Sequence, residues 1–445
     1  MDKDTLIEAV RNAGVVGEGG AGFPAHVKYA APVGTVIANG CECEPLLHSD
    51  QHLMTAHADK VVRGLTAVMA ATGAGRGVVA VKRKYTAAAE ALEAAMDGQD
   101  LELARLDNFY PAGDEQILVY ELTGRSIPPL GLPKDVDAVV ANVGTLCAVS
   151  DALDGVPVTH KIVTVTGEVR RPAVLRVPVG TPVTALIERC GPSTTPEPVV
   201  VLGGPMMGRF VDRPEDLQAE VITKTLGGVI LLPRGHYLHQ AATLPVEEIQ
   251  KRARTACIQC RYCTDQCPRF LIGHGFETHK VMRSFSGAAD VATGALQAAM
   301  CCECGICELF SCPMHLSPRR INRLFKARLQ EQGVSYDGPR AVHGEQTALR
   351  EFRRVPTSRL AVRIGIEPYM ALHPEFDGDL VPPAVEIPLR QHIGAPARAV
   401  VRAGDRVACG DLIGEIPEGG LGARVHASID GVVAAVGETV AIKGA

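Results

Sequence analysis

The sequence predicts a multidomain protein of the α/β plus β class. Three observations predict it. Short apolar runs alternate with helical patterns over the first 150 residues, which is typical of a parallel sheet covered by helices. Two dense cysteine runs follow within residues 257–312, in a segment with helical character. From about residue 381, short apolar runs are separated by turns containing glycine and aspartate, which is typical of an all-β domain.

The first domain is predicted from this alternation of strands and helices. Apolar, β-branched runs predict strands at 35–39, 77–82, 101–105 and 137–142. Amphipathic patterns between them predict helices at 5–13, 50–70, 86–96 and 114–122. Helices that connect successive strands bring those strands together in parallel, so we expect one parallel sheet.

The later domains are predicted from changes in sequence texture. A β-rich segment has predicted strands at 162–169, 174–179, 199–204 and 228–232, and one helix at 183–190. A helix at 247–254 leads into the cysteine-rich segment, and residues 333–358 are polar and contain glycine and proline. The predicted division of the chain is 1–155, 156–242, 243–332, a linker at 333–380, and 381–445.

The two cysteine runs carry the clearest chemical signal. Each has three cysteines two residues apart and a fourth followed by proline: Cys257, Cys260, Cys263 and Cys267, then Cys301, Cys304, Cys307 and Cys312. This spacing is typical of two [4Fe–4S] clusters, in which the fourth cysteine of each run ligates the other cluster. We therefore predict one cluster on Cys257, Cys260, Cys263 and Cys312, and a second on Cys301, Cys304, Cys307 and Cys267.

Structural zinc is the alternative for these cysteines. A zinc site needs only four ligands in a tetrahedron, whereas each run here has a third cysteine at the next step and a Cys-Pro pair. The second run departs from the common pattern, because four residues precede Cys312 and an extra Cys302 follows Cys301. Cys302 is predicted either to compete as a ligand or to pack as a small apolar residue.

Composition excludes some classes of function. The net charge is −5, tryptophan is absent and aromatic residues make up 4% of the chain, so nucleic-acid binding is not expected. No uncharged apolar run reaches the length of a transmembrane helix. The N-terminus lacks an apolar signal-peptide region, and fourteen cysteines suit metal binding in a reducing compartment. We therefore expect a cytoplasmic location.

A glycine-rich loop at residues 17–24 predicts a second ligand site. It contains G-x-G-x-x-G, but it follows a predicted helix instead of a strand, which excludes the Rossmann dinucleotide fingerprint. Dense glycines still let the backbone approach a ligand and direct N–H groups at a phosphate. Lys28 lies four residues after Pro24 and offers a positive charge. The alternative is an ordinary surface loop.

Together with segments 39–45 and 140–145, this loop resembles the flavin- and NADH-binding subunit of respiratory complex I and its relative RnfC. Segment 110–125 also resembles RnfC. Segment 165–208 looks like the soluble-ligand-binding β-grasp (SLBB) domain of these proteins, and segment 388–428 looks like their barrel-sandwich domain. The resemblance implies a Rossmann-like FMN-binding α/β domain, an SLBB β-grasp domain, a helical dicluster ferredoxin domain and a C-terminal barrel-sandwich β domain.

Domain order discriminates within this group. In RnfC the barrel-sandwich segment comes first, whereas here it comes last, which is similar to the PduS-type cobalamin reductases of bacterial microcompartments. The resemblance implies FMN, two [4Fe–4S] clusters and NADH as electron donor. It implies a corrinoid (cobalamin) or its carrier enzyme as acceptor, and a place inside a microcompartment beside a shell protein. The alternative is an RnfC-like subunit that delivers electrons to a ferredoxin or a membrane complex.

The resemblance also implies site residues. Around the flavin phosphate it places Gly17, Gly19, Gly20 and Lys28. Around the ribityl chain and ring it places Asn39, Glu42, Asp114, Glu115, Asn142 and Thr145, with Phe23 stacked on the dinucleotide. Glu42 and Glu115 are the predicted catalytic residues, with a solvated acidic loop as the alternative for Glu42. The relatives carry aspartate where this chain has Cys41, so that contact is not carried over.

Overall fold

The computed structural model describes residues 2–20, 22–285, 287, 291–344 and 348–444, and the side chains of 291–293 lie outside this description. The first domain is built on a four-stranded parallel sheet. Its strands lie in the spatial order Glu102–Leu106, Arg76–Lys82, Thr35–Gly40 and Ala138–Asn142. All four predicted strands and their parallel arrangement are therefore present.

Helices cover both faces of this sheet. Their bounds are Lys3–Asn12, Ala25–Lys28, Ser49–Ala56, Ala58–Thr72, Thr86–Ala95, Glu115–Thr123 and Val143–Leu153, with a 3₁₀ turn at Pro133–Val136. The helix predicted at 50–70 is interrupted at His57, whose backbone leaves the helical region (φ −136°, ψ 36°). Apolar clusters around Leu65 and around Leu118 fill the two sides of the sheet. The carboxyl ends of the strands, where α/β folds bind ligands, form one shared edge.

The β-grasp domain has a six-stranded sheet. Its strands lie in the order Glu375–Asp379, Ala173–Pro178, His160–Gly167, Gly228–Pro233, Pro198–Leu202 and Arg209–Val211, with helices at Val183–Arg189 and Pro214–Gln218. The outermost strand, Glu375–Asp379, lies within the predicted linker and pairs in parallel with Ala173–Pro178. A second short strand of that segment, Val355–Pro356, pairs with Phe109–Tyr110 of the first domain. Residues 350–379 are thus structured and join two domains, which differs from the predicted linker.

The cysteine-rich domain is helical, as predicted. Its helices are Tyr237–Thr243, Val246–Ala256, Tyr262–Asp265, Pro268–Leu271, Thr278–Phe285, Val291–Gln297 and Pro318–Glu331, followed by Arg350–Arg353 and Thr357–Ile364. Short 3₁₀ turns occur at Ala298–Met300 and Glu367–Ala371. A π-helix at Ile306–Ser311 contains Cys307 and ends at Cys312. Its wider turn accommodates the extra residue between these two cysteines, and such π-turns occur often at functional sites.

The C-terminal domain is all-β. One sheet has the order Ala384–Pro388, Thr439–Gly444, Gly431–Val436 and Arg406–Val407, and the other has Arg398–Ala399, Leu412–Glu415 and Val425–His426. The predicted strand at 400–401 forms two residues earlier, at Arg398–Ala399. Ile387, Ile413 and Ile442 pack in one core with Val179 of the β-grasp domain. Among the described residues, no helix has the length and apolar character needed to cross a membrane.

Candidate cofactor sites

The glycine loop forms a closed turn at the carboxyl edge of the parallel sheet. The Gly17 amide donates to the Phe23 carbonyl (2.8 Å), and the Gly22 amide donates to the Gly17 carbonyl (3.2 Å). The Glu18 amide donates to Thr145 Oγ1 (2.9 Å), which attaches the loop to the start of the helix Val143–Leu153. Half-buried Phe23 therefore lies at the base of the loop, and Thr145 lies beneath it.

The tip of the loop is open. Gly19 and Gly20 are exposed, and a Cβ atom on Gly20 would meet no atom within 4 Å. Gly20 has φ +103°, a conformation that only glycine adopts without strain. A Cβ atom on Gly19 would lie 3.8 Å from Asn142 Cβ. The tip and the start of the helix thus leave space for a phosphate, so the loop fits the group that the resemblance implies.

Two predicted asparagines are fixed at the ends of adjacent strands. Asn39 Nδ2 donates to the Gly113 carbonyl (2.9 Å), and Asn39 Oδ1 accepts from the Cys41 amide (3.1 Å). Asn142 Oδ1 accepts from the Gly144 amide (2.8 Å), and its Nδ2 donates to Asp50 Oδ2 (2.7 Å). Each side chain is therefore held by two hydrogen bonds at the edge of the sheet.

Carboxylates converge between these asparagines. Burial raises the pKa of Glu42, and it raises the pKa of Asp50 to about 7 with a contribution from the Glu42 charge. Glu18 forms an ion pair with Lys161. Lys82 ends its strand at the same edge, is 2% exposed, and lowers the pKa of Glu42 by its charge. The site therefore combines amide, acidic and basic groups, which suits a polar ring with hydrogen-bonding edges.

Three of the predicted site residues bind protein groups instead. Lys28 Nζ lies 2.6 Å from Glu115 Oε1, so these two predicted residues are brought together as an ion pair. Asp114 caps the helix Glu115–Thr123 by accepting from the Gln116 and Ile117 amides. Both oxygens of Asp114 also contact Arg269, at 2.6 and 2.9 Å. In the structure Asp114 thus holds Arg269, which differs from the predicted contact with the flavin.

The cysteines form two groups that cross between the runs. Cys263 lies near Cys312, Cys260 and Cys257, and burial together with these thiols raises its pKa to about 12. The second group lines one cavity: Cys267, Cys301, Cys302, Cys304 and Cys307. Each run therefore sends its fourth cysteine toward the other run's three.

Hydrogen bonds reach the sulfur atoms from the surrounding chain. The Glu303 amide donates to Cys301 Sγ (3.3 Å), Asn322 Nδ2 lies 3.5 Å from the same sulfur, and the Leu316 amide donates to Cys312 Sγ (3.4 Å). Such bonds stabilise thiolates around iron. No group of three or more His, Cys, Asp or Glu side chains in the described part of the chain is arranged to hold a metal ion. Ligands of a cubane cluster stand around the cube and do not converge on one point.

Cys302 lies in the second cavity with the predicted ligands. A hydrogen bond with Cys304 lowers the pKa of Cys302 to about 7. The structure therefore places five thiols around this cavity. Cys41 lies at the end of its strand with no exposed surface, and burial raises its pKa to about 12.

Three contacts hold the second cysteine cavity against the edge of the parallel sheet. Arg269, two residues after Cys267, binds Asp114. The Tyr110 hydroxyl donates to the Cys304 carbonyl (2.7 Å). Arg319 donates to the Met206 carbonyl in the β-grasp loop.

That β-grasp loop, residues 203–208, also binds the flavin-type domain. Both oxygens of Glu44 accept amide hydrogen bonds of 2.8 Å, from Met206 and from Met207. Sequence reasoning did not identify the contact residues Tyr110, Arg269 and Arg319, or Lys82. Positions beside a Cys-Pro pair and at a strand's carboxyl end were the available signals.

Four family models match the chain in order. They are the Nuo51 FMN-binding domain at residues 10–151, the SLBB domain at 162–210, the 4Fe-4S dicluster domain at 256–317 and the RnfC barrel sandwich hybrid domain at 377–445. The predicted fold class is confirmed. The chain has an FMN-binding domain and a domain for two [4Fe–4S] clusters, which confirms those predicted cofactors.

Curated relatives decide the family. The chain is 42% identical over 445 residues to cobalamin reductase PduS of Salmonella typhimurium, covering 98% of this chain and 96% of the relative. The chain belongs to the PduS cobalamin reductase family. The Citrobacter freundii member is 40% identical over 442 residues, with the same coverage of both chains. This family consists of oxidoreductases, and the domain order predicted for it, with the flavin domain first and the barrel last, is present here.

More distant proteins match part of the chain. An RnfC-type component of the Na⁺-translocating ferredoxin:NAD⁺ oxidoreductase complex of Acetobacterium woodii is 37% identical over 278 residues, covering 60% of this chain and 58% of that relative. A crystal structure of an NAD⁺-reducing [NiFe]-hydrogenase aligns with TM-score 0.47 and 22% identity, covering 84% of this chain and 69% of that chain.

Proposed function

We propose that this protein takes electrons from NADH and reduces a corrinoid, converting cob(III)alamin to cob(II)alamin, to reactivate B12 for a microcompartment enzyme. Family membership supports the corrinoid as acceptor. Bound FMN exchanges electrons in pairs with a nicotinamide and singly with iron–sulfur clusters, and this conversion is the reason for joining the two domains. The proposed location is the bacterial cytoplasm, inside a microcompartment and beside a shell protein.

One observation carries the proposal: the second cysteine cavity lies against the ligand-binding edge of the FMN-type domain. Arg269 and Tyr110 join the two across contacts of 2.6 to 2.9 Å. A short path between two redox sites is what single-electron transfer requires. No other pair of predicted sites needs these contacts, because the β-grasp and C-terminal domains carry no predicted cofactor.

Particular residues are assigned to this function. Residues 1–155 would hold FMN, with the loop tip at Gly19 and Gly20 and the edge residues Asn39, Asn142 and Thr145 around it. Glu42, beside Lys82, would orient the nicotinamide or the ring. The Lys28–Glu115 ion pair would fix the far side of the loop.

The clusters are assigned to residues 243–332. We propose that the outer cluster uses Cys257, Cys260, Cys263 and Cys312. We propose that the inner cluster uses Cys267, Cys301, Cys304 and Cys307, with Cys302 as a spare thiol beside it.

The second candidate is an RnfC-like electron-transfer subunit. The observation in its favour is the 37% identity to a component of a ferredoxin:NAD⁺ oxidoreductase complex. In that case the acceptor would be a ferredoxin or a membrane complex. The shared region covers only 60% of this chain, whereas the cobalamin reductases cover 98%.

The test is an anaerobic titration of the purified protein with NADH, using hydroxocobalamin as acceptor. The flavin and iron–sulfur absorption should bleach on adding NADH and recover as cob(II)alamin forms. Because NADH supplies two electrons and cob(III)alamin takes one, each NADH should yield two cob(II)alamin. Bleaching without corrinoid reduction would favour the second candidate. No bleaching with NADH, but bleaching with NADPH, would contradict the proposed donor.

A further inference from the structure

We infer that the outer cysteine group opens onto a docking surface for a protein with an acidic face, which receives the electrons. This inference rests on the proposed function, because it concerns where electrons leave the chain. Its surface, here named the exit patch, is formed by Ile258, Tyr262 and Met314 with the basic residues around them.

The exit patch begins with apolar side chains that face solvent. Ile258 is 61% exposed, Tyr262 is 55% exposed and Met314 is 37% exposed. Each lies within two residues of a predicted ligand: Ile258 follows Cys257, Tyr262 precedes Cys263, and Met314 is two residues after Cys312. An exposed apolar group of this kind marks an interaction site more often than a random surface does.

The two cysteine groups differ in exposure. Cys304, Cys307 and Cys267 are buried at 6 to 8% exposure, next to the FMN-type domain. Cys257 and Cys260 are only half-buried. Cys263 belongs to the outer group but lies near Cys307. The inner group therefore faces the flavin side, the outer group faces solvent, and the two adjoin.

The charge around the patch is basic. Residues 249–264 contain Lys251, Arg252, Arg254 and Arg261 and no acidic residue. On the other side, Arg363 donates to the Cys312 carbonyl (3.2 Å), and Arg252 donates to the His315 carbonyl (2.9 Å).

Nearby acids balance only part of this charge. Asp265 and Glu277 lie 3.7 Å from Arg261, and Arg353 also contacts Asp265. Lys251 and Arg254 remain exposed on the helix that leads to Cys257. The whole chain has a net charge of −5, so the patch has the opposite sign to the molecule. Charge complementarity therefore selects a partner with an acidic rim around an apolar centre.

The test uses one probe protein with two opposite charges. Native cytochrome c is basic, and succinylated cytochrome c has the same haem with its lysines converted to carboxylates. The chain is first reduced with a limiting amount of titanium(III) citrate, so that the experiment does not depend on NADH. One electron then passes from the outer cluster to the ferric haem, which is followed by stopped-flow absorption.

The succinylated probe should be reduced about tenfold faster than the native probe at low ionic strength, and salt should abolish the difference. Lys251→Glu/Arg254→Glu should remove or reverse this preference while the cluster spectra stay unchanged. The matched control is Arg402→Glu/Arg406→Glu, an equal charge change at exposed sites of the C-terminal domain.

Equal rates for both probes with the unmodified chain would overturn the inference, as would a preference that the exit-patch variant keeps. Loss of preference in both variants would also overturn it, because the effect would then follow net charge. The proposed function fails separately, through the absence of NADH-dependent bleaching, so the two failures are distinguishable.

Discussion

Arg269 and Asp114 form a two-pronged ion pair, with contacts of 2.6 and 2.9 Å, across the boundary between the cysteine-rich and FMN-type domains. Arg269 is two residues after Cys267, and Asp114 caps the helix that starts at Glu115. One side-chain pair therefore sets the distance between the inner cysteine cavity and the proposed flavin site. Both side chains are largely buried, at 9% and 18% exposure.

Arg269→Met should destabilise the domain boundary by about 3 kcal/mol, because it leaves the Asp114 carboxylate buried without its partner. Asp114→Asn should cost less, and the double variant should cost less than the sum of the two single changes. Urea unfolding of the three variants measures this coupling. Additive costs would show that the ion pair does not join the domains.

The pair also predicts a dependence on pH. Burial alone would raise the pKa of Asp114, but the Arg269 charge and hydrogen bonds hold it below 3.8. A carboxyl whose pKa is lowered by folding stabilises the protein above its unfolded pKa and loses that contribution as the pH falls through the folded pKa. The stability gap between the unmodified chain and Asp114→Asn should therefore shrink below about pH 4.

Gly204→Ala should loosen the β-grasp loop from the FMN-type domain. A Cβ atom at Gly204 would overlap Cγ and Oε2 of Glu44, whose carboxylate the Met206 and Met207 amides hold. We expect a loss of about 2 kcal/mol. Gly227→Ala is the control, since a Cβ atom there would meet no atom within 4 Å. Hydrogen exchange at the Met206 and Met207 amides should rise only in Gly204→Ala.

Cysteine variants test whether the ligand sets cross. Cys263→Ala/Cys312→Ala should lose one cluster and keep about four irons, because both residues are assigned to the outer cluster. Cys307→Ala/Cys312→Ala should damage both clusters. Iron and acid-labile sulfide analysis with electron paramagnetic resonance distinguishes the two cases. Flavin reduction by NADH should persist in the first variant, and the exposed Cys409→Ala is the control. The same iron content in both double variants would contradict the crossed assignment.

Lys224→Met should release the C-terminal β domain from the rest of the protein. Lys224 is 2% exposed, and its Nζ donates to the Gly14 and Arg424 carbonyls, each at 2.7 Å, so it joins three domains. Two buried carbonyls would lose their partner, which costs about 2 kcal/mol or more. Limited proteolysis should then cleave before residue 384 more quickly. The exposed Lys443→Met should leave the cleavage rate unchanged.

Acid should weaken the same interface. Burial lowers the pKa of His426 to about 3 and the pKa of His392 to about 4, with Lys224 close to both. These rings stay neutral in the folded chain while they take up protons in the unfolded chain below about pH 6.5. Their contribution is therefore complete above pH 6.5 and is lost as the pH falls toward 4.

His426→Phe should reduce this acid sensitivity, because phenylalanine cannot take up a proton. The urea midpoint, followed by circular dichroism, should fall less between pH 7 and pH 4.5 in the variant than in the unmodified chain. An unchanged slope would show that His426 does not contribute to it. His343→Phe, at an exposed position, is the control.

Local patterns were enough to predict much of the fold. The four strands of the parallel sheet lie within one residue of their predicted bounds, because each is a short apolar run between turn residues. The helix predicted at 50–70 was too long, because nothing in its periodicity marks the break at His57. The segment predicted as a linker is polar in sequence but forms strands, since Val355–Pro356 and Glu375–Asp379 gain hydrogen bonds only from distant partners.

The sequence by itself determined the chemistry of this protein. Eight thiols at fixed spacing, a glycine loop and the order of the domains are local features that need no knowledge of distance. Only the tertiary structure decided how the sites connect. Asp114 and Arg269 are 155 residues apart, and Glu44 and Met206 are 162 apart, yet each pair is in direct contact. Such contacts depend on how whole domains pack, and no local pattern of residues encodes them.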